Sequence, residues 1–185
     1  MVNEWFSGCK SPVPLDGEPR LTHPTDKNQE FRRLAMGPLL HDLQMKLARK
    51  STLGSKDPSK ILIHSTHDTA LAGITSALDV FDNRWPTFTA SITFELFKGS
   101  SLQPTQGFLG GIRQAFLPLE RPRYYVRMRY QNKDMAIPYC QLEGNHLPGA
   151  PEFCTLKAFQ ERIRELTPED WDAECVPQGR SIATS

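Results

Sequence analysis

The sequence predicts an α/β fold, and three patterns predict it. An apolar stripe at helical spacing runs from Phe31 to Lys50. Between Ile61 and Leu78, a short apolar run, a polar turn and a helix of small residues follow one another. Two alternating stretches, residues 90–97 and 124–130, read as strands. At 185 residues the chain can bury a substantial core as one domain.

Residues 1–24 contain Gly8, Pro12, Pro14, Gly17, Pro19 and Pro24 without periodic apolar signal, so an irregular lead-in is expected there. Phe31, Leu34, Leu39, Leu40, Leu43 and Leu47 then form a stripe, mostly at three-to-four spacing, that suits one buried face of a helix. Gly37-Pro38 falls inside this pattern. Proline lacks the amide donor and crowds the preceding turn, leaving a kinked helix or a separate leading turn as alternatives. Ser51 to Lys60 reads as a polar linker. Ile61-Leu62-Ile63 suits a short strand buried on both sides, and Ala70 to Leu78 suits a helix packed through small residues.

The strands at 90–97 and 124–130 are separated by a segment rich in turn formers: Gly99, Pro104, Gly107, Gly110-Gly111 and Pro118. That length is uncommon for a structureless connection in a compact domain, and 98–122 is expected to be a loop insertion. Leu156 to Leu166 completes the set as a short helix, with Thr155 as its cap and Phe159 and Ile163 facing inward.

The chemistry-bearing residues gather in one place. His64, Ser65, Thr66, His67, Asp68 and Thr69 lie between the Ile61 run and the helix. In α/β folds ligands collect beyond the carboxyl ends of strands, where helix N-termini point toward anions. Three roles fit the residue types. Asp68 is a good helix cap. An imidazole beside a carboxyl suits proton transfer, with the imidazole carrying positive charge toward a phosphate. His and Asp also ligate zinc, but His23, His41 and His146 are scattered and form no second cluster. Neither an arginine cluster nor a glycine-rich cradle for phosphate is evident near the strand end.

Lys plus Arg is 22 and Asp plus Glu is 21, so a net charge of +1 gives no general ground for nucleic acid or an anionic membrane as partner. The basic run Arg121, Arg123, Arg127 and Arg129 reads as one face of a strand. No segment approaches the roughly 18 to 20 apolar residues that span a bilayer. Met1-Val-Asn-Glu-Trp-Phe does not read as a secretory signal. Cys9, Cys140, Cys154 and Cys175 include no CxxC pair, which argues against a compact zinc site and for disulfides in an extracellular or lysosomal-type compartment. Four cysteines permit three connectivities, and the spacing does not choose among them.

A longer series of residues carries a family resemblance. It comprises Ile61-Leu-Ile-His-Ser-Thr-His67-Asp68-Thr69-Ala-Leu, Ser76-Ala-Leu-Asp-Val-Phe81, Trp85-Pro86 and Phe94-Glu95-Leu96-Phe97. It continues through Tyr125-Val-Arg-Met-Arg-Tyr130, Leu147-Pro-Gly149, Cys154-Thr-Leu-Lys-Ala-Phe159 and Trp171-Asp-Ala-Glu-Cys175, and reaches back loosely to Arg33–Leu40. In this order the residues resemble the C-terminal part of a histidine acid phosphatase, the family that includes lysosomal and prostatic acid phosphatases.

The resemblance implies part of a phosphoglycerate-mutase-like (histidine phosphatase) fold, with an incomplete sheet and flanking helices. It implies hydrolysis of phosphate monoesters through a phosphohistidine, in a complete protein that is secreted or lysosomal. His67 would bind the phosphoryl oxygens and Asp68 would protonate the leaving alcohol. No cofactor or metal is implied, and a homodimer of the complete protein is one candidate assembly.

The family nucleophile is the histidine of an Arg-His-Gly motif. None of the five histidines here follows an arginine, so no nucleophile is expected in this chain and little or no turnover from it alone. The rival expectation is a non-catalytic binding or structural remnant of the same fold. A departure from the family pattern, Ala150 where a cysteine often follows Leu-Pro-Gly, suggests by resemblance that Cys154 pairs with Cys140. By the same resemblance Cys175 would have its partner in a missing half.

Overall fold

The computed structural model describes residues 30–99 and 123–175. The expected lead-in at 1–24, with Cys9 and His23, lies outside the described residues, as does the stretch 100–122 of the expected insertion.

Helix α1 spans Glu30–Leu53 without interruption, with Pro38 inside it. Of the alternatives left open by Gly37-Pro38, the separate leading turn is not what forms. Pro38 cannot donate to the carbonyl four residues back, and that carbonyl, Leu34 O, instead accepts from the Trp171 indole Nε1 at 2.8 Å. Gly37 serves a different need. A Cβ at this position would press into the backbone carbonyl of Leu166, so glycine lets another helix end approach α1 closely. The expected linker at 51–60 is partly helical: α1 runs to Leu53 and a 3₁₀ turn covers Gly54–Lys56. Asp57 then closes this corner. Its carboxylate accepts from Ser59 N at 2.9 Å and sits 3.3 Å from Arg49 Nε, while its carbonyl accepts from Lys50 Nζ at 2.7 Å.

Helix α2, Asp68–Ala77, is nearly all small residues and is buried from Ala72 through Ala77. Gly73 faces Met36 of α1 so closely that a Cβ would meet the Met36 sulfur at 2.8 Å, and the two helices pack through this gap.

The sheet has five strands: β1 (Ile92–Lys98), β2 (Tyr124–Tyr130), β3 (Lys133–Met135), β4 (His146–Leu147) and β5 (Ala150–Thr155). Its order is β1-β2-β5-β4, with β3 also on β2, and every ladder is antiparallel. β1 and β2 pair residue for residue from Ile92–Tyr130 to Lys98–Tyr124, and Gly99 N donates to Arg123 O at 2.7 Å. Lys98 therefore belongs to the hairpin and not to the expected insertion. β3 and β5 share the far edge of β2, β3 along 128–130 and β5 along 125–127.

The alternation of β2 separates two faces. Val126 and Met128 point into the core, where they meet Met36 and Leu40 of α1 and Ile74, Ala77 and Leu78 of α2. Helix α3, Leu156–Leu166, adds Phe159, Ile163 and Leu166, each fully buried. Its cap is the expected one, Thr155 Oγ1 accepting from Ala158 N at 3.2 Å. The opposite face carries Arg127 and Arg129, ion-paired with Glu95 and Asp134, so the part of the basic run that lies in β2 is a charge-paired strand face. Arg127 also lies 5.1 Å from the ring centres of both Phe97 and Phe153.

Cys140 and Cys154 are joined, with Cα atoms 5.1 Å apart, and the bond ties the 3₁₀ turn Pro138–Gln141 to β5. Cys175, after the short helix α4 (Trp171–Glu174), is also disulfide-bonded. That corrects the expectation that its partner is missing.

The Ile61-Leu62-Ile63 run forms no strand. Its side chains are 81%, 52% and 85% exposed. A strand buried on both sides needs hydrogen-bonded neighbours and two covering layers, and no strand lies beside this segment among the described residues.

Candidate active site

The polar turn after Ile63 ends at the first turn of α2. His67 occupies the N-cap position with extended backbone (φ −96°, ψ 163°), and its side chain makes no capping bond. Its carbonyl accepts from Ala70 N at 3.1 Å and Leu71 N at 3.3 Å, which starts the helix. Asp68 is thus the first helical residue and not the cap, contrary to the capping alternative. An acidic group in the first turn is favoured by the partial positive charge of the helix N-terminus.

Both carboxylate oxygens of Asp68 are engaged. Oδ1 accepts from Thr69 N at 2.7 Å and Oδ2 from the Trp85 indole Nε1 at 2.6 Å. These bonds, the indole first and the Thr69 amide second, hold the Asp68 carboxyl below the usual carboxylate range, helped by the adjacent His67. Partial desolvation opposes them without prevailing. Asp68 and His67 both remain exposed. Both side chains are therefore open to solvent at the N-terminal end of α2, where the helix end favours an anion.

The far end of α2 is fixed as well. Arg162 of α3 is buried and donates to Ala77 O at 3.2 Å and to Asp79 Oδ2 at 2.8 Å. Arg32 of α1 pairs with the other oxygen of Asp79. The helix bearing Asp68 is thus held at its C-terminus by cations from two neighbouring helices.

Among the described residues, no hydrogen bond links another histidine to this pair. His64 and His41 are exposed at other points, and His146 Nδ1 faces the carbonyls of Cys140 at 2.9 Å and Leu142 at 3.2 Å. Among the described residues no group of three or more His, Cys, Asp or Glu is arranged to hold a metal ion. None of the described helices is long and apolar enough to cross a membrane. An open concavity of about 850 Å³ between α1 and α3 is lined by Arg33, His41, Gln44, Gln160 and Arg164. It contains none of the residues of the polar turn. Trp85 is the contact that sequence reasoning did not single out for the site: it lies 17 positions beyond Asp68, and no spacing rule links the two.

Comparison with known proteins supplies a family. The histidine phosphatase superfamily (branch 2) matches residues 25–131, more than half of the chain. A probable acid phosphatase of Schizosaccharomyces pombe is 26% identical over 202 residues, covering 96% of this chain and 40% of the relative. Human prostatic acid phosphatase is 27% identical over 150 residues, covering 81% of this chain and 32% of the relative. Human lysosomal acid phosphatase is 27% identical over 146 residues, covering 79% and 28%. The chain spans well under half the length of these relatives. Its open sheet with helices on one face is what part of such a fold contains. By the extent of the match, the chain belongs to branch 2 of the histidine phosphatase superfamily.

Proposed function

We propose that these residues supply the proton-donor half of an acid phosphatase that hydrolyses phosphate monoesters through a phosphohistidine. The observation that carries this is the adjacent His67-Asp68 pair, exposed at the N-terminus of α2, with Asp68 held by two N–H donors. His67 binds phosphoryl oxygens, and Asp68 gives its proton to the leaving alcohol. A bound phosphate places negative charge beside Asp68. That charge raises the carboxyl's proton affinity and offsets the downward pull of its donors. Acidic medium favours the loaded form for the same reason, which fits the lysosomal and prostatic names of the relatives and a secreted or lysosomal setting.

No histidine in the chain follows an arginine, so the nucleophile and the arginines that stabilise the phosphoryl oxygens are assigned to the remaining portion of the domain. The test is hydrolysis of p-nitrophenyl phosphate at acidic pH by the chain alone, beside Asp68→Asn. Folded protein with no turnover in either is expected. Turnover that disappears with Asp68→Asn would place a nucleophile within these residues. Fused behind the N-terminal portion of human prostatic acid phosphatase, the chain is expected to turn over substrate, and Asp68→Asn to lower kcat by about 10²- to 10⁴-fold.

A further inference from the structure

We infer that Trp85 is a positioning residue for Asp68, its indole N–H fixing one carboxylate oxygen while the helix backbone fixes the other. The functional meaning of this inference rests on the proton-donor role proposed for Asp68; the contact itself does not.

The geometry has two independent parts. The first is the bond: Trp85 Nε1 lies 2.6 Å from Asp68 Oδ2, and Thr69 N lies 2.7 Å from Oδ1. Two N–H groups on opposite oxygens fix the carboxylate in rotation as well as position, and each oxygen keeps a lone pair for a ligand. The second is the loop that presents the indole. Between α2 and β1 the chain turns through Asp79, Asn83 and Thr89, all at positive φ near 60°. Asp and Asn tolerate that region, but a β-branched threonine there is strained and persists only where its surroundings impose it.

Asp82 Oδ1 accepts from Arg84 N at 3.0 Å, Pro86 is buried, and Thr87 Oγ1 accepts from Gln131 Nε2 at 3.0 Å. The loop is therefore stiffened by a local turn before Trp85 and tied to the end of β2 after it, by contacts that do not involve Asp68. Trp85 is 41% exposed, so hydrophobic burial alone does not account for its placement.

The consequence follows from which form of Asp68 an N–H donor favours. When the P–O bond to the leaving group breaks, the Asp68 proton passes to the alcohol oxygen and Asp68 is left as a carboxylate. The indole keeps its own proton throughout and stabilises this anion. Trp85 thus favours the state after proton transfer, the same state that can accept a proton from attacking water. The titratable side chain facing Asp68 is His67; its hydrogen-bond partners, Thr69 N and the indole, do not titrate.

The test reads Asp68 directly in the full 185-residue chain and needs no turnover. The Trp85 indole ¹H–¹⁵N signal and the Asp68 carboxyl carbon are followed by NMR as pH is lowered. Both are expected to move with one midpoint, while the Trp171 indole, bonded to the Leu34 carbonyl, stays still as an internal control. Trp85→Phe is expected to move the Asp68 midpoint up toward the ordinary carboxylate range. Should Trp85→Phe fail to fold, Asp68→Asn carries the test, because it should abolish the pH response of the Trp85 signal. A Trp85 signal indifferent to acid and to Asp68→Asn, or an Asp68 midpoint unchanged in Trp85→Phe, would overturn the inference. An inactive fusion protein with a titrating Trp85 would instead overturn the phosphatase reading alone.

Discussion

Pro38 leaves one carbonyl of α1 without its helical donor, and Trp171 takes it from 137 positions away. The proline and the tryptophan are each legible in the sequence, but their pairing is not, because it depends on where α4 comes to rest. Trp171→Phe keeps most of the ring and removes the N–H. It is expected to destabilise the chain by about 1–3 kcal/mol, the cost of a partly buried carbonyl left unpaired, measurable by urea unfolding. Asp57 gives a prediction with a pH sign. Its carboxyl is held below the ordinary range chiefly by the Ser59 amide, with Arg49 and Lys50 adding to it. The folded-state value lies below the unfolded one of about 3.9, so the stabilisation is fully present above that pH and lost as pH falls through the lower folded value. The stability gap between the parent chain and Asp57→Asn should therefore close on acidification. A gap of constant size from pH 6 to pH 2 would show that the carboxylate does not carry it.

At the scale of elements, the sequence was most legible where periodicity and caps agree. β2 runs from Tyr124 to Tyr130 and α3 from Leu156 to Leu166, as alternation and the Thr155 cap predict. Helix α1 ran through a proline because an external donor and the packing of Met36 and Leu40 outweigh the lost bond. The junction of elements is where glycine and cysteine matter. Gly37→Ala places a methyl group against the Leu166 carbonyl at the end of α3, and a backbone atom cannot swing aside. We expect a loss of about 1–3 kcal/mol or more, against the gain of a few tenths to one that Gly→Ala brings where it is tolerated. The Cys140–Cys154 bond closes a loop with a separation of 14 residues and joins β5 to the 3₁₀ turn before it. Replacing both cysteines by serine should cost about 2–4 kcal/mol by the loop-entropy argument, with the loss visible as an earlier urea midpoint.

For the whole molecule, the informative segment is the one that did not become an element. Ile61-Leu62-Ile63 has strand composition, and its unbroken apolar run predicts burial on both faces, yet all three side chains face solvent. Composition reports the environment a segment suits; pairing requires a neighbour, and among the described residues none is there. The same limit explains how much of the site could be read. His67 and Asp68 are identifiable because they are contiguous, whereas Trp85 reaches Asp68 only through a folded loop. The core of this chain is built instead from α1, α2 and α3 against β2 and β5, so it should be indifferent to residues 61 and 63. In the chain by itself, Ile61→Ser with Ile63→Ser is expected to change unfolding free energy by less than about 0.5 kcal/mol, as for exposed positions generally. A loss of about 2 kcal/mol or more per residue is what burial would produce. That result would mean these isoleucines are already covered, and that the sheet is less open than its antiparallel order indicates. With the fused N-terminal portion of a relative in place, the same pair of substitutions should become destabilising. Both side chains then acquire neighbours, and the difference between the two contexts measures how much of the strand's burial the rest of the domain supplies.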